Sequence, residues 1–313
     1  MKVITLKDLK VIFMGTPSFS VPILENLIKN ANVLGVVTVP DALIGRKKVL
    51  TASPIKMCAQ KYNIPVFTPV KLKEDYESIL ELNPDIIITC AYGQIVPKVI
   101  LDAPKYGCIN IHASLLPKYR GASPIQSAII NGEKETGITL MYMAEGLDTG
   151  DIIKEKSIKI DDVDNLETLS NKLSILASNM IIEELPNIIN GKSERIPQDN
   201  DQATYVGLIK REDEHLDFNI PAIDVYNKVR AFAPSPLANF VLDDLEYKVG
   251  LCEVTNESGS AGLIISEDKN SFTIACQVNA IKILKIKPLG KNLMDVKDFK
   301  NGYHDKLVGK VVK

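Results

Sequence analysis

The sequence predicts an α/β chain in which a Rossmann-like parallel-sheet domain precedes a small OB-like β-barrel domain. In the first half, short apolar runs alternate with segments of helical periodicity, the pattern of a parallel sheet covered by helices. Past residue 205 the pattern changes to several short strand-like runs separated by turns, the pattern of a small barrel. The length of 313 residues suits two domains at about 150 residues each.

Residues 10–14 form an apolar run that ends at Gly15-Thr16-Pro17, and a helical pattern follows over 21–30, so the chain opens as strand, turn, helix. Residues 33–39 are a valine-rich second strand. Helices are expected over 54–62 and 75–82, the latter stopping before Asn83-Pro84. Residues 85–90 and 107–112 are further strands, and in such sheets ligands gather at the carboxyl ends of the strands. Leu166, Leu169, Leu173, Leu176 and Ile181 mark one long helix over 165–185. The polar stretch 190–203 reads as a linker, which gives a first domain over 1–204 and a second over 205–313. The second domain is expected to hold a helix over 221–232 and strands over 238–242, 247–254, 262–266, 271–275 and 280–287.

Composition removes several classes. The 37 Lys and Arg against 39 Asp and Glu leave a net charge of −2, which argues against a surface that binds nucleic acid everywhere. Residues 269–313 nevertheless carry ten lysines and three aspartates, a local charge of +7. Lysines on barrel strands suit a phosphate backbone, and they equally suit edge strands that resist aggregation. No apolar run approaches the roughly 20 residues of a membrane helix, and the N-terminal stretch lacks a secretory pattern. Cys58, Cys90, Cys108, Cys252 and Cys276 are far apart and form no CxxC pair, so reduced structural thiols in the cytoplasm are expected. There is no GxGxxG after the first strand, no P-loop and no HExxH, and the three histidines are scattered. Redox-cofactor, P-loop nucleotide and metalloprotease chemistry are weakened, and no metal is expected.

The densest polar cluster runs from Asn110 to Gly121. Asn110 and His112 lie two apart at a strand end, so their side chains point to the same side. An amide can donate to a developing oxyanion, and an imidazole can move a proton near neutral pH. The following loop contains Pro117, Gly121 and Pro124. Farther on, Asp148 sits between the turn glycines Gly146 and Gly150, where it could orient the histidine. A histidine on an apolar strand is as readily a core residue, and Asp148 as readily caps a turn. Spacing alone does not bring Asp148 to His112.

Taken together, Asn110-Ile111-His112, Ser114-Leu115-Leu116-Pro117, Tyr119-Arg120-Gly121-Ala122 and Gly146-Leu147-Asp148-Thr149-Gly150-Asp151 resemble the folate-dependent formyltransferase superfamily. Val11 through Pro17, Gly45-Arg46-Lys47-Lys48 with Ser53-Pro54, and stretches near 203–218, 229–236 and 290–299 are similar to those members that act on methionyl initiator tRNA. Tyr119 and Phe218 stand where that family often has tryptophan, which this chain lacks. The resemblance implies a formyltransferase whose formyl donor is 10-formyltetrahydrofolate. The implied acceptor is the α-amino group of methionine on initiator tRNA, giving N-formylmethionyl-tRNA for translation initiation, without a metal. It assigns Asn110 to the oxyanion, His112 and Asp148 to charge and proton handling, and Ser114, Leu115, Leu116 and Pro117 to the folate. Arg46, Lys47 and Lys48 would enter the acceptor stem, and the lysine-rich second domain would hold phosphates. A cytoplasmic monomer with no membrane partner is expected. A sugar-nucleotide formyltransferase would share the fold and the Asn110, His112 and Asp148 set, but the basic loop and the +7 segment favour tRNA. A non-catalytic folate- or RNA-binding module is disfavoured because that set is intact.

Overall fold

Val11, Ile12, Phe13 and Met14 are wholly buried in β1 (Lys10–Gly15), an interior strand with a parallel partner on each side, as expected where both faces of a parallel sheet are covered. The computed structural model describes residues 5–45, 48–303 and 305–313. From β1 the chain runs through α1 (Val21–Asn30), β2 (Asn32–Val37), β3 (Ala42–Ile44), β4 (Val49–Thr51), α2 (Pro54–Lys61), β5 (Val66–Phe67) and α3 (Glu77–Leu80). It continues through β6 (Ile86–Cys90), α4 (Lys98–Leu101), β7 (Cys108–His112), β8 (Arg120–Gly121), α5 (Pro124–Ile130), β9 (Glu135–Tyr142), β10 (Ile152–Lys159), α6 (Leu166–Ile189) and β11 (Tyr205–Val206).

The main sheet has the order β10-β9-β7-β6-β1-β2-β5. The run from β7 to β5 is parallel, and β9 joins β7 antiparallel. The order reverses around β1, which makes the carboxyl ends of β1 and β6 a topological switch point. Local chemistry fixes the helices. Ser53 accepts a hydrogen bond from the Lys56 amide at 3.0 Å and Pro54 follows it, a strong start for α2. In α1, Ile23, Leu24 and Leu27 share one buried face. Burying each such side chain contributes roughly 1.5–3 kcal/mol. The helix expected over 75–82 is only four residues long, because the chain bends before Glu77 and again after Leu80. The 135–142 and 152–159 strands were not expected. Gly137 interrupts the first, and the second carries three consecutive charged residues, Lys154, Glu155 and Lys156.

The packing divides the chain into two units, the first comprising residues through 124, 136–158 and 170–206, and the second 125–135, 159–169 and 207–313. Two upstream stretches therefore pack with the second unit, and the division is not a single cut near 205.

The second unit contains α7 (Ala222–Phe232), β12 (Ala238–Leu242), β13 (Leu245–Thr255), β14 (Ile264–Glu267), β15 (Phe272–Ala275), β16 (Ala280–Pro288), β17 (Met294–Asp295) and α8 (Val296–Gly302). Ala222, Val225, Val229 and Phe232 of α7 join the sheet's core. The antiparallel order is β12-β13-β16-β15-β14, with β17 on β16. A register shift beside Gly250 bends the long β13. The last residues close the ring. Val241 of β12 and Lys313 exchange two backbone hydrogen bonds at 2.7 and 2.9 Å, while Ile264 of β14 donates to Lys310 at 2.9 Å. Both edge strands are thus covered, which gives the expected barrel-like closure. Deleting residues 311–313 is expected to expose both edges and remove the buried Val312, worth about 1.5–3 kcal/mol. A melting curve that lost no stability on truncation would contradict this closure.

All five cysteines are buried and unpaired. Burial pushes the thiols of Cys90 and Cys108 up to about 12, which fits structural rather than nucleophilic roles.

Candidate active site

The site assembles at the carboxyl ends of β6 and β7, where an α/β sheet offers a crevice. Asn110 and His112 occupy alternate positions of β7. The carboxamide of Asn110 is oriented at both ends. Thr89 of β6 donates its hydroxyl to Asn110 Oδ1 at 2.9 Å, and Asn110 Nδ2 donates to Asp148 Oδ1 at 3.2 Å. One amide hydrogen then remains for an incoming oxygen.

His112 is only 5 % exposed. Its Nε2 lies 2.9 Å from the Tyr119 carbonyl, so that nitrogen carries a hydrogen. Its Nδ1 lies 3.6 Å from Asp148 Oδ2. Both ring nitrogens therefore face oxygen acceptors.

Asp148 has a left-handed backbone, with φ of 51°. Its Oδ2 also accepts the Gly121 amide at 2.8 Å. The carboxylate is thus bound by an amide side chain and a backbone N–H, and faces an imidazole. The structure brings Asn110, His112 and Asp148 together across 38 residues of sequence, which spacing could not do.

The loop between His112 and Gly121 is locked from several directions. Ser114 is fully buried and donates to the Lys118 carbonyl at 2.6 Å. The Leu116 amide donates to Thr139 Oγ1, and the Leu116 side chain packs with Met141 and Ile152. Leu115 and Pro117 stay half-exposed. Of the four residues assigned to the folate, these two therefore present apolar surface, while Ser114 and Leu116 hold the loop's shape. Gly121 has φ of 116°, and a Cβ there would lie 2.2 Å from the Val206 carbonyl oxygen. Only glycine lets β8 approach β11 this closely.

Sequence reading missed the support beneath this site. Arg120, 1 % exposed, donates to Gln198 from Nε and Nη2 at 3.0 and 2.7 Å, to Asn200 at 2.9 Å and to the Tyr205 hydroxyl at 3.0 Å. The stretch expected as a linker is therefore bound to Arg120, at the end of the loop that follows His112. The sequence signal was Tyr119-Arg120-Gly121 followed much later by Thr204-Tyr205, whose pairing across 85 residues is visible only in three dimensions.

Arg46 and Lys47 lie outside the described residues. Lys48 is exposed beside them, in the hairpin of β3 and β4. That hairpin exposes Leu43, Ile44, Val49 and Leu50 by 57–65 %, an unusual amount of apolar surface for a solvated turn. In the lysine-rich segment, Lys282, Lys285, Lys300 and Lys310 each have a carboxylate within 4.0 Å. Such surface pairs contribute about 0–1 kcal/mol and leave the lysines available to other anions. Among the described residues no group of three or more metal-ligating side chains converges, and no helix is long and apolar enough to cross a membrane.

The comparisons with known proteins place this fold among group-transfer enzymes of the formyl transferase type. The formyl transferase family matches residues 9–185 and its C-terminal domain matches residues 208–304, so the chain belongs to the formyl transferase family. It is 46 % identical over 307 residues to methionyl-tRNA formyltransferase of Staphylococcus epidermidis, covering 97 % of this chain and 99 % of that protein. That end-to-end likeness places it in the methionyl-tRNA formyltransferase branch of the family. Among solved structures it resembles methionyl-tRNA formyltransferase from Clostridium thermocellum, with a TM-score of 0.56 and 20 % identity over 80 % of this chain and 95 % of that one. It also shares its fold with WlaRD, a sugar 3N-formyl transferase solved in the presence of dTDP and 5-N-formyl-THF. There the TM-score is 0.66, with 23 % identity over 91 % of this chain and 99 % of that one.

Proposed function

We propose that the chain transfers the formyl group of 10-formyltetrahydrofolate to the α-amino group of methionyl initiator tRNA. The observation that carries the chemistry is the convergence of Asn110, His112 and Asp148 at the strand ends. The neutral amine attacks the formyl carbon, and negative charge develops on the formyl oxygen. Asn110 donates its remaining amide hydrogen to that oxygen, a contact typically worth about 2.7–4 kcal/mol of barrier. Asp148 orients the His112 ring beside the reacting carbon; as the tetrahedral adduct collapses, the bond from the formyl carbon to N10 of the donor breaks, and the proton lost by the amine passes through the His112–Asp148 pair to N10 of the departing tetrahydrofolate. Held in place, amine and formyl carbon gain as much as about 7–11 kcal/mol from proximity. Leu115 and Pro117 offer an apolar wall to the flat ring of the donor, and the loop geometry of Ser114 and Leu116 fits that role.

Acceptor choice rests on the end-to-end likeness to methionyl-tRNA formyltransferases, together with the basic hairpin and the lysine-rich second unit. Likeness to the sugar enzyme is at 23 % identity and speaks for the fold alone. The chain should act as a monomer in the cytoplasm. The test is to supply the full-length protein with the formyl donor and either methionyl initiator tRNA or an amino-sugar nucleotide. Formyl-methionyl-tRNA from the first, and no product from the second, is the expected result; the reverse would replace the acceptor and keep the chemistry. In the same assay, Arg46→Ala is expected to raise the KM for charged tRNA by roughly tenfold, and rising salt should raise the wild-type KM as phosphate contacts weaken. A KM unmoved by both would remove the hairpin from RNA recognition.

A further inference from the structure

Asp148 occupies a left-handed backbone position, and its register with His112 depends on what holds its turn. Gln198 does this by geometry. Its Nε2 donates one hydrogen to the Asp148 carbonyl and the other to the Gly150 carbonyl, both at 2.8 Å. Its Oε1 accepts twice from Arg120, which is itself wholly buried. The backbone around Gln198 is tied down nearby, since Ile196 and Ile152 exchange hydrogen bonds at 2.8 and 3.0 Å. Gly150 tolerates no side chain, because a Cβ there would lie 1.7 Å from the Tyr142 carbonyl oxygen, so the turn is pressed against β9 on its other side. The Gln198 amide nitrogen thus faces the Asp148 turn, with the Met141 sulfur farther off at 3.9 Å, and its oxygen faces the loop that carries Gly121.

We propose that Gln198 is a positioning residue for the formyl transfer: through Arg120 on one side and the Asp148–Gly150 turn on the other, it sets the distance between Asp148 and His112. The proposal rests on the catalytic reading of Asp148. A displacement of about 1 Å at a reacting constellation can cost about 10²-fold in rate.

The informative variant is Gln198→Glu. Its carboxylate keeps an acceptor for Arg120, and gains charge opposite a guanidinium, but it cannot donate to the two turn carbonyls. The full-length enzyme is assayed as wild type, Gln198→Glu, Gln198→Ala and Asp148→Ala. Amide hydrogen exchange is followed at Arg120, Gly121 and Ala122. Arg120 and Ala122 donate to Thr204 and Val206 at 2.8 and 3.0 Å, whereas Gly121 donates to Asp148. The expected result is a kcat lower by about 10²-fold in both Gln198 variants with KM values within about twofold. Gly121 should exchange faster while Arg120 and Ala122 stay protected. Wild-type kcat in Gln198→Glu with Asp148→Ala inactive would overturn the positioning role and leave the catalytic reading standing. Loss of protection at all three amides would reduce Gln198 to a packing role. Activity in Asp148→Ala would remove the catalytic reading, and the proposal with it.

Discussion

Replacing His112 by alanine is expected to lower kcat by about 10²–10⁴-fold, the range that a positioned proton-transferring side chain contributes. The KM for the formyl donor is expected to stay within about twofold, because His112 is held by Tyr119 and Asp148 and not by the half-exposed residues that would border the donor. Burial does not argue against this role. His112 is 5 % exposed at the end of β7, and a low-dielectric surrounding strengthens its effect on a nearby oxyanion. The variant removes the contact between His112 and the Tyr119 carbonyl, a hydrogen bond worth about 0.5–1.5 kcal/mol, so the melting temperature is measured alongside turnover. A variant that melts a few degrees lower but turns over like wild type would make His112 a core residue.

The second large effect is expected at Gly121. Alanine there must adopt a φ near 116° and place its Cβ 2.2 Å from the Val206 carbonyl oxygen. Backbone strain at such positions costs about 1–3 kcal/mol, and the contact can be relieved only by parting β8 from β11. A total near 3 kcal/mol lowers the melting temperature by roughly 6–12 °C in a unit of this size. Turnover should fall as well, because the Gly121 amide is one of the donors that orient Asp148. Gly207→Ala is the control. It lies one residue beyond the contacted carbonyl, has no positive φ and meets nothing within 4 Å, so it should leave both properties unchanged. Equal losses in the two variants would show that the close approach of β8 and β11 is not what glycine serves.

What the sequence made legible follows from where its physics is local. The strands β1 and β6 are buried on both faces and read as nearly continuous apolar runs. The Asn110 and His112 pair was visible because alternation along one strand is a local rule. The pattern of β10 was not, because Lys154, Glu155 and Lys156 give it a solvated character over much of its length. The hydrogen-bond partners in the polar stretch before Tyr205 were hidden for a related reason. Gln198 and Asn200 look like loop residues until Arg120, about 80 positions upstream, is placed between them. A buried guanidinium must find acceptors, and no periodicity in the sequence says where they are. The same limit applied to Asp148, whose approach to His112 depends on the Gly121 amide and the Gln198 side chain as much as on its own turn.

The central claim is that the strand-end carboxylate, imidazole and carboxamide carry formyl transfer to the methionyl amine. It is tested most directly by single-turnover formylation of methionyl initiator tRNA at saturating formyl donor, with wild type and Asp148→Asn compared. Asparagine keeps the size of Asp148 and an acceptor for the Gly121 amide, but removes the negative charge opposite His112. The account predicts product from the wild type and a rate lower by about 10²-fold or more in the variant. A variant rate within about twofold of wild type would contradict it.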